Sequence, residues 1–174
     1  MLGNALCVAR LSFLMKTIVV GLGNPILGDD GVGWKVAEEV KRQLSSPQAP
    51  LSRGEGHYID VEFLSLGGIS LMEHLIGYEH AILIDAIASD REPGSIITSK
   101  LSELPDVSAL HIASVHDTSL QNALKLGKAM GADLPEQVTV VGIATKHVYD
   151  FSEELSLPVA QSVFKATQIV IDLL

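Results

Sequence analysis

The sequence is poor in cysteine, in positive charge and in long apolar runs, and each scarcity excludes a class of protein. The single cysteine, Cys7, excludes an intramolecular disulfide and a thiolate metal cluster, and it suits a reducing compartment. The net charge of −9 comes from 21 acidic and 12 basic residues, without the basic cluster that a nucleic-acid-binding face needs. We therefore expect a cytoplasmic protein that binds no nucleic acid.

No apolar stretch reaches the roughly 18 residues that are needed to span a bilayer, so we expect no membrane association. The first fourteen residues are largely apolar, but Arg10 interrupts them and no strong cleavage signal follows. Met15 and Lys16 then precede a strand-like segment. We expect residues 1–14 to be an extension that is disordered or not native, and residues 15–174 to form one domain.

Hydrophobic residues make up 47% of the chain, and their pattern alternates between strand and helix. The pattern predicts strands at Thr17–Leu22, Tyr58–Leu66, Ala81–Ala86, Ser95–Ser99 and Val138–Ala144, and helices at about Gly31–Leu44, Ile69–Ile76, Thr118–Met130 and Ser156–Leu173. Residues 104–117 read as mostly loop. This order predicts an α/β fold: a three-layer single domain with a mostly parallel, roughly five-stranded sheet between helices.

Sites in open α/β sheets lie at the carboxyl ends of the strands, where this sequence places several unusual residues. Asp29 and Asp30 lie in the glycine-rich loop after the first strand, Asp85 ends the most apolar strand, and His116 precedes a helix. Two carboxylates and an imidazole suit a three-ligand metal site, although these residue types do not select the metal. Alternatively, Asp29 and Asp30 cap the first helix, Asp85 holds a neighbouring loop, and His116 is an ordinary surface or core histidine.

Several well-known motifs are absent. In a dinucleotide-binding G-x-G-x-x-G loop the sixth residue is glycine, but here that position is Ile26. The sequence also lacks a phosphate-binding G-K-[ST] loop, an H-E-x-x-H zinc helix and a G-x-S-x-G nucleophile elbow. His111 lies close enough to His116 to remain a reserve candidate.

The candidate residues resemble those of a known family, the hydrogenase maturation endopeptidases. The stretch 21–33 (GLGNPILGDDGVG) is similar to the opening signature of that family, in which the second acid is a metal ligand, here Asp30. The second ligand of the family is an aspartate in a D-A context, matched by Asp85. The third is a histidine in an S-x-H context, matched by His116.

The resemblance implies that residues 15–174 are a nickel-dependent, aspartic-type endopeptidase domain. Its substrate would be a hydrogenase large-subunit precursor that already carries nickel, from which it removes the C-terminal peptide. Asp30, Asp85 and His116 would bind that nickel and serve catalysis. We expect a monomer, with no resident metal other than the nickel supplied by the substrate, for which other divalent ions can substitute in crystals.

The resemblance also implies that Asn24, Gly67 and Gly68 bind the substrate. The family often has an acid before this glycine pair, whereas here Ser65-Leu66 precedes it, so the recognition loop departs from the family pattern.

Two alternatives remain open at this point. Peptidyl-tRNA hydrolases share a similar G-x-G-N-P opening, but they need a histidine shortly after it, and the next histidine here is His57. The other alternative is an inactive module that only binds the precursor.

Overall fold

In the part of the chain that the structure describes, a five-stranded sheet lies between two pairs of helices, as the sequence predicts. The computed structural model describes residues 15–46, 57–104, 119–146 and 151–174. Within these ranges the strands are β1 (Met15–Leu22), β2 (His57–Leu64), β3 (His80–Ala88), β4 (Ile96–Lys100) and β5 (Gln137–Thr145), and the helices are α1 (Val32–Leu44), α2 (Gly68–His74), α3 (Leu120–Ala129) and α4 (Leu157–Leu173). The predicted extension, residues 1–14, and most of the predicted loop at 104–117 lie outside the described residues.

The strand order determines where a site can form. The sheet runs β2-β1-β3-β5-β4, with β4 antiparallel and the other strands parallel. From β1 the chain first moves outward to β2 and then returns to the other side of β1 as β3. In open α/β sheets this reversal opens a crevice at the carboxyl ends of the two central strands.

Apolar side chains on both faces of the sheet hold the three layers together. One core lies between the sheet and α2 and α3, and the other lies between the sheet and α1 and α4. In β3, Ala81 and Leu83 belong to the first core, whereas Ile82 and Ile84 belong to the second. Because successive side chains of a strand alternate between faces, Asp85 points to the same face as Leu83.

The first turn of α1 packs directly against the sheet at Gly33. A Cβ atom built on Gly33 would lie closer than 3.0 Å to the carbonyl oxygens of Leu22 and Ile84. Only glycine permits this approach, which brings the N-terminal end of α1 against the carboxyl ends of β1 and β3.

The helix caps differ in part from the prediction. Ser119 caps α3, because its Oγ accepts a hydrogen bond from Asn122 N at 3.3 Å. The N-cap residues of α1 and of the 3₁₀ turn Gly28–Gly31 before it are Gly31 and Leu27, and neither caps through its side chain. The alternative in which Asp29 caps α1 is wrong, because both of its carboxylate oxygens accept hydrogen bonds from Ser156. Asp30 accepts a hydrogen bond from Asn24 N, described below.

None of the helices in the described parts of the chain is both long and apolar enough to cross a bilayer.

Candidate active site

Asp30 is a buried carboxylate in the 3₁₀ turn Gly28–Gly31, which links β1 to α1. Only 3% of its surface is exposed, and its Oδ2 accepts a hydrogen bond from Asn24 N at 2.6 Å. Glycine at position 23 permits this loop conformation, because its φ is +117° and a Cβ atom there would collide with the carbonyl oxygen of Asp30. The glycine-rich loop therefore wraps closely around the Asp30 carboxylate.

Asp85 lies near the carboxyl end of β3 and is fully buried, with 0% of its surface exposed. It directly follows Ile84, whose carbonyl touches Gly33 at the start of α1, and the 3₁₀ turn that holds Asp30 contacts β3. The structure therefore brings Asp30 and Asp85 to the same end of the sheet, at the reversal between β1 and β3. A carboxylate is costly to bury without compensation, so two of them at one sheet edge form an unusual feature.

The neighbouring acid, Asp29, has a different role. Its carboxylate accepts two hydrogen bonds from Ser156, one from the backbone N at 2.7 Å and one from Oγ at 2.8 Å. Ser156 is the residue at the N-cap position of α4. Asp29 therefore ties the loop after β1 to the start of α4, where a carboxylate also complements the helix dipole.

The residues predicted to bind substrate lie around the same end of the sheet. Asn24 is half-buried, and its Oδ1 accepts a hydrogen bond from Ile26 N at 3.2 Å. Gly67 and Gly68 begin α2, and Gly68 has φ +53°. Just before them, Ser65 Oγ donates a hydrogen bond of 2.6 Å to the carbonyl of Gly23, which joins the loops after β1 and β2. Substrate contact by Asn24, Gly67 and Gly68 remains a prediction.

His116 and the reserve candidate His111 lie outside the described residues. Within the ranges that the structure describes, no group of three histidine, cysteine or acidic residues is arranged to hold a metal ion. Nickel binding by Asp30, Asp85 and His116 therefore remains a prediction. The structure describes the positions of the two aspartates only.

An exposed apolar pair beside the Asp30 loop was not anticipated from the sequence. Leu27 and Ser152 form a parallel β-bridge, in which Gly28 N donates to Ser152 O at 2.6 Å and Ser152 N donates to Ile26 O at 3.1 Å. The residues before the bridge, Ile26 and Phe151, are 49% and 87% exposed. In the sequence, Ile26 is recognisable as a large apolar residue in a loop that otherwise contains mainly Gly, Asn, Pro and Asp. No local sequence pattern indicates that it lies next to Phe151.

The family follows from comparison with known proteins. The model of the HycI hydrogenase maturation protease family matches residues 34–173. The chain belongs to this family. It is therefore a member of a peptidase family, and this membership decides against the peptidyl-tRNA hydrolase alternative.

Individual hydrogenase maturation proteases show the same relationship. The hydrogenase 2 maturation protease of Escherichia coli K12 is 25% identical over 130 residues, which cover 74% of this chain and 73% of that protein. The crystal structure of a hydrogenase 2 maturation peptidase from a Thaumarchaeota archaeon is 28% identical, with a TM-score of 0.62, and the match covers 91% of this chain and 97% of that one. The hydrogenase maturating endopeptidase HybD of E. coli has the same fold, with a TM-score of 0.67, 23% identity and 90% coverage of both chains.

The family match includes the positions of Asp85 and His116 but begins at Trp34, after the turn that holds Asp30. The role of Asp30 therefore depends on the motif in residues 21–33 and on the geometry described above.

Proposed function

We propose that this protein is an endopeptidase that removes the C-terminal peptide of a nickel-loaded hydrogenase large-subunit precursor. Family membership supports the peptidase activity and the connection with hydrogenase maturation. The single observation that carries the specific proposal is the burial of Asp30 and Asp85 at the same end of the sheet, where the strand order reverses.

In this proposal, nickel is part of the substrate. The precursor brings the ion, and Asp30, Asp85 and His116 bind it, because carboxylates and imidazole are suitable ligands for a divalent transition metal. Binding through these three side chains would distinguish loaded from empty precursor and would position the bond to be cut. Asn24, Gly67 and Gly68 would contact the polypeptide around that bond.

Two chemical routes are consistent with this set of residues. The bound nickel polarises the peptide carbonyl or activates water, or one of the two carboxylates acts as the general base. The second route corresponds to the aspartic type of peptidase. A nickel-independent residual rate would favour the carboxylate route.

The test is to incubate the purified protein with nickel-loaded and nickel-free precursor and to measure the mass of the large subunit. We expect trimming of the loaded precursor only. The Asp30→Asn variant should cleave at least about 100-fold more slowly, since it loses a charged ligand or base. Asp172→Asn, on the exposed end of α4, is the matched control and should cleave normally.

Three results would contradict the proposal. If nickel-free precursor is trimmed as fast as loaded precursor, the protein does not recognise nickel. If Asp30→Asn cleaves at the wild-type rate, Asp30 is neither a required ligand nor the catalytic base. Tight binding of loaded precursor without any cleavage would support the inactive binding module instead.

We also propose that the protein acts as a monomer in the cytoplasm. The single cysteine supports a reducing compartment, and sedimentation of the purified protein tests the monomer.

A further inference from the structure

Ile26 and Phe151 form an exposed apolar surface that the backbone holds in place; we call this pair the apolar rim. Both residues directly precede the parallel bridge between Leu27 and Ser152, so their backbones lie next to each other. The two hydrogen bonds across the bridge fix the spacing between their backbones. Phe151 is 87% exposed although the bridge holds its backbone in place.

The rim is continuous with the loop that encloses Asp30. Ile26 N donates a hydrogen bond to the side chain of Asn24, and Asn24 N donates one to the Asp30 carboxylate. On the other side, Asp30 N donates a hydrogen bond to the carbonyl of Leu27, which is in the bridge itself. Ile26 and Phe151 are therefore attached to the same hydrogen-bonded loop that holds the Asp30 carboxylate.

We propose that the apolar rim docks an apolar side chain of the precursor polypeptide, close to the bond that is cut. This inference rests on the proposed function, because it assigns a specificity determinant to the same site. Two side chains offer a few hundred Å² at most, whereas a stable protein dimer buries about 1,200–2,000 Å². The rim is thus too small to hold a second copy of the chain alone, but it matches one side chain of a peptide that the site already holds.

The test compares cleavage kinetics of Phe151→Ser with those of a matched control. We expect Phe151→Ser and Ile26→Ser each to raise KM for the loaded precursor about tenfold, as for loss of an apolar anchor, and to change kcat less than twofold. Phe151→Leu, which keeps an apolar side chain, should restore most of the affinity. Phe164→Ser, at an aromatic residue of α4 that is 69% exposed, should leave both constants unchanged.

Each outcome distinguishes the rim from the proposed function. If the wild-type protein does not cleave loaded precursor, or if Asp30→Asn cleaves normally, the proposed function fails. If cleavage and its dependence on Asp30 hold but both serine variants keep the wild-type KM, only the proposal that the rim docks the precursor is overturned. It is also overturned if Phe164→Ser raises KM equally, or if sedimentation shows that Phe151→Ser disrupts a dimer while KM is unchanged.

Discussion

Replacing Gly33 by alanine tests whether the close packing of α1 on the sheet positions the site. The new methyl group would meet two backbone carbonyl oxygens, those of Leu22 and Ile84, closer than 3.0 Å. Neither oxygen can rotate away, because Leu22 belongs to β1 and Ile84 to β3, the two hydrogen-bonded central strands. Insertion of a methyl group into a packed site costs about 1–3 kcal/mol, and we expect the upper end here, about 3 kcal/mol.

Alanine also has a better helix propensity than glycine, which stabilises the folded protein by up to about 1 kcal/mol. The expected net loss is therefore about 2 kcal/mol in the free energy of unfolding. For a chain of this size, such a loss lowers the melting temperature by about 4–8 °C.

Gly127→Ala provides a matched control within α3. Its methyl group would also lie closer than 3.0 Å to other atoms, but these are the ends of the flexible side chains of Met72 and Leu134. They can move aside, so the gain in helix propensity offsets most of the cost. We expect Gly127→Ala to stay within about 1 kcal/mol of the wild-type stability.

The assay combines urea unfolding with cleavage of loaded precursor, measured well below both melting temperatures. In Gly33→Ala, α1 must move away from β1 and β3 and carry the Asp30 turn with it. A displacement of this kind should lower kcat/KM at least about tenfold. Equal stability of Gly33→Ala and wild type, or equal losses in the two alanine variants, would refute the packing argument.

Three further variants test hydrogen bonds outside the packing of Gly33. Asp29→Ala removes the acceptor of both Ser156 hydrogen bonds and should lower the unfolding free energy by about 2 kcal/mol in urea titrations, whereas Ser156→Ala keeps the backbone bond and should lose about half as much. Tyr78→Phe removes the 2.6 Å hydrogen bond from Tyr78 O–H to Asp60 Oδ2 and should cost about 1 kcal/mol. Burial and the Asp60 carboxylate raise the pKa of Tyr78, so the stability that this phenol contributes is fully present below its ordinary pKa of 10.0 and is lost as the pH rises above it. The difference between wild type and Tyr78→Phe should therefore narrow in alkaline solution, and a constant difference would contradict this account.

The sequence alone predicts most of the fold because strand and helix periodicities differ and here rarely conflict. The strand at Ala81–Ala86 is continuously apolar because both faces of β3 are covered, and the prediction errs there by one or two residues at each end. The second strand ends at Leu64 rather than Leu66. Leu66 is apolar but exposed, so its residue type carried no information about where the strand ends.

The candidate site is only partly predictable from the sequence. Asp85 was identifiable because an acid at the end of an apolar strand is costly to bury. Asp29 and Asp30 are identical residue types in adjacent positions, and local reasoning offered helix capping for both as the alternative to a metal site. Their actual partners differ: Asp29 binds Ser156, 127 positions along the chain, whereas Asp30 binds Asn24 in its own loop. Contacts that are distant in sequence leave no local pattern, and for the same reason the pairing of Ile26 with Phe151 was not predicted.

These distant contacts determine how a loss of activity should be interpreted. The loop that holds Asp30 is tied to α4 through Asp29, to the loop after β2 through Ser65, and to the sheet through the close approach at Gly33. A substitution at any of these three anchors can move Asp30 relative to Asp85 without touching either carboxylate. Such a variant would lose stability and cleavage together, whereas a variant of the carboxylates themselves should lose cleavage while its melting temperature changes less. Comparing stability with kcat/KM across Ser65→Ala, Ser156→Ala and Asp30→Asn therefore separates residues that position the site from residues that take part in its chemistry.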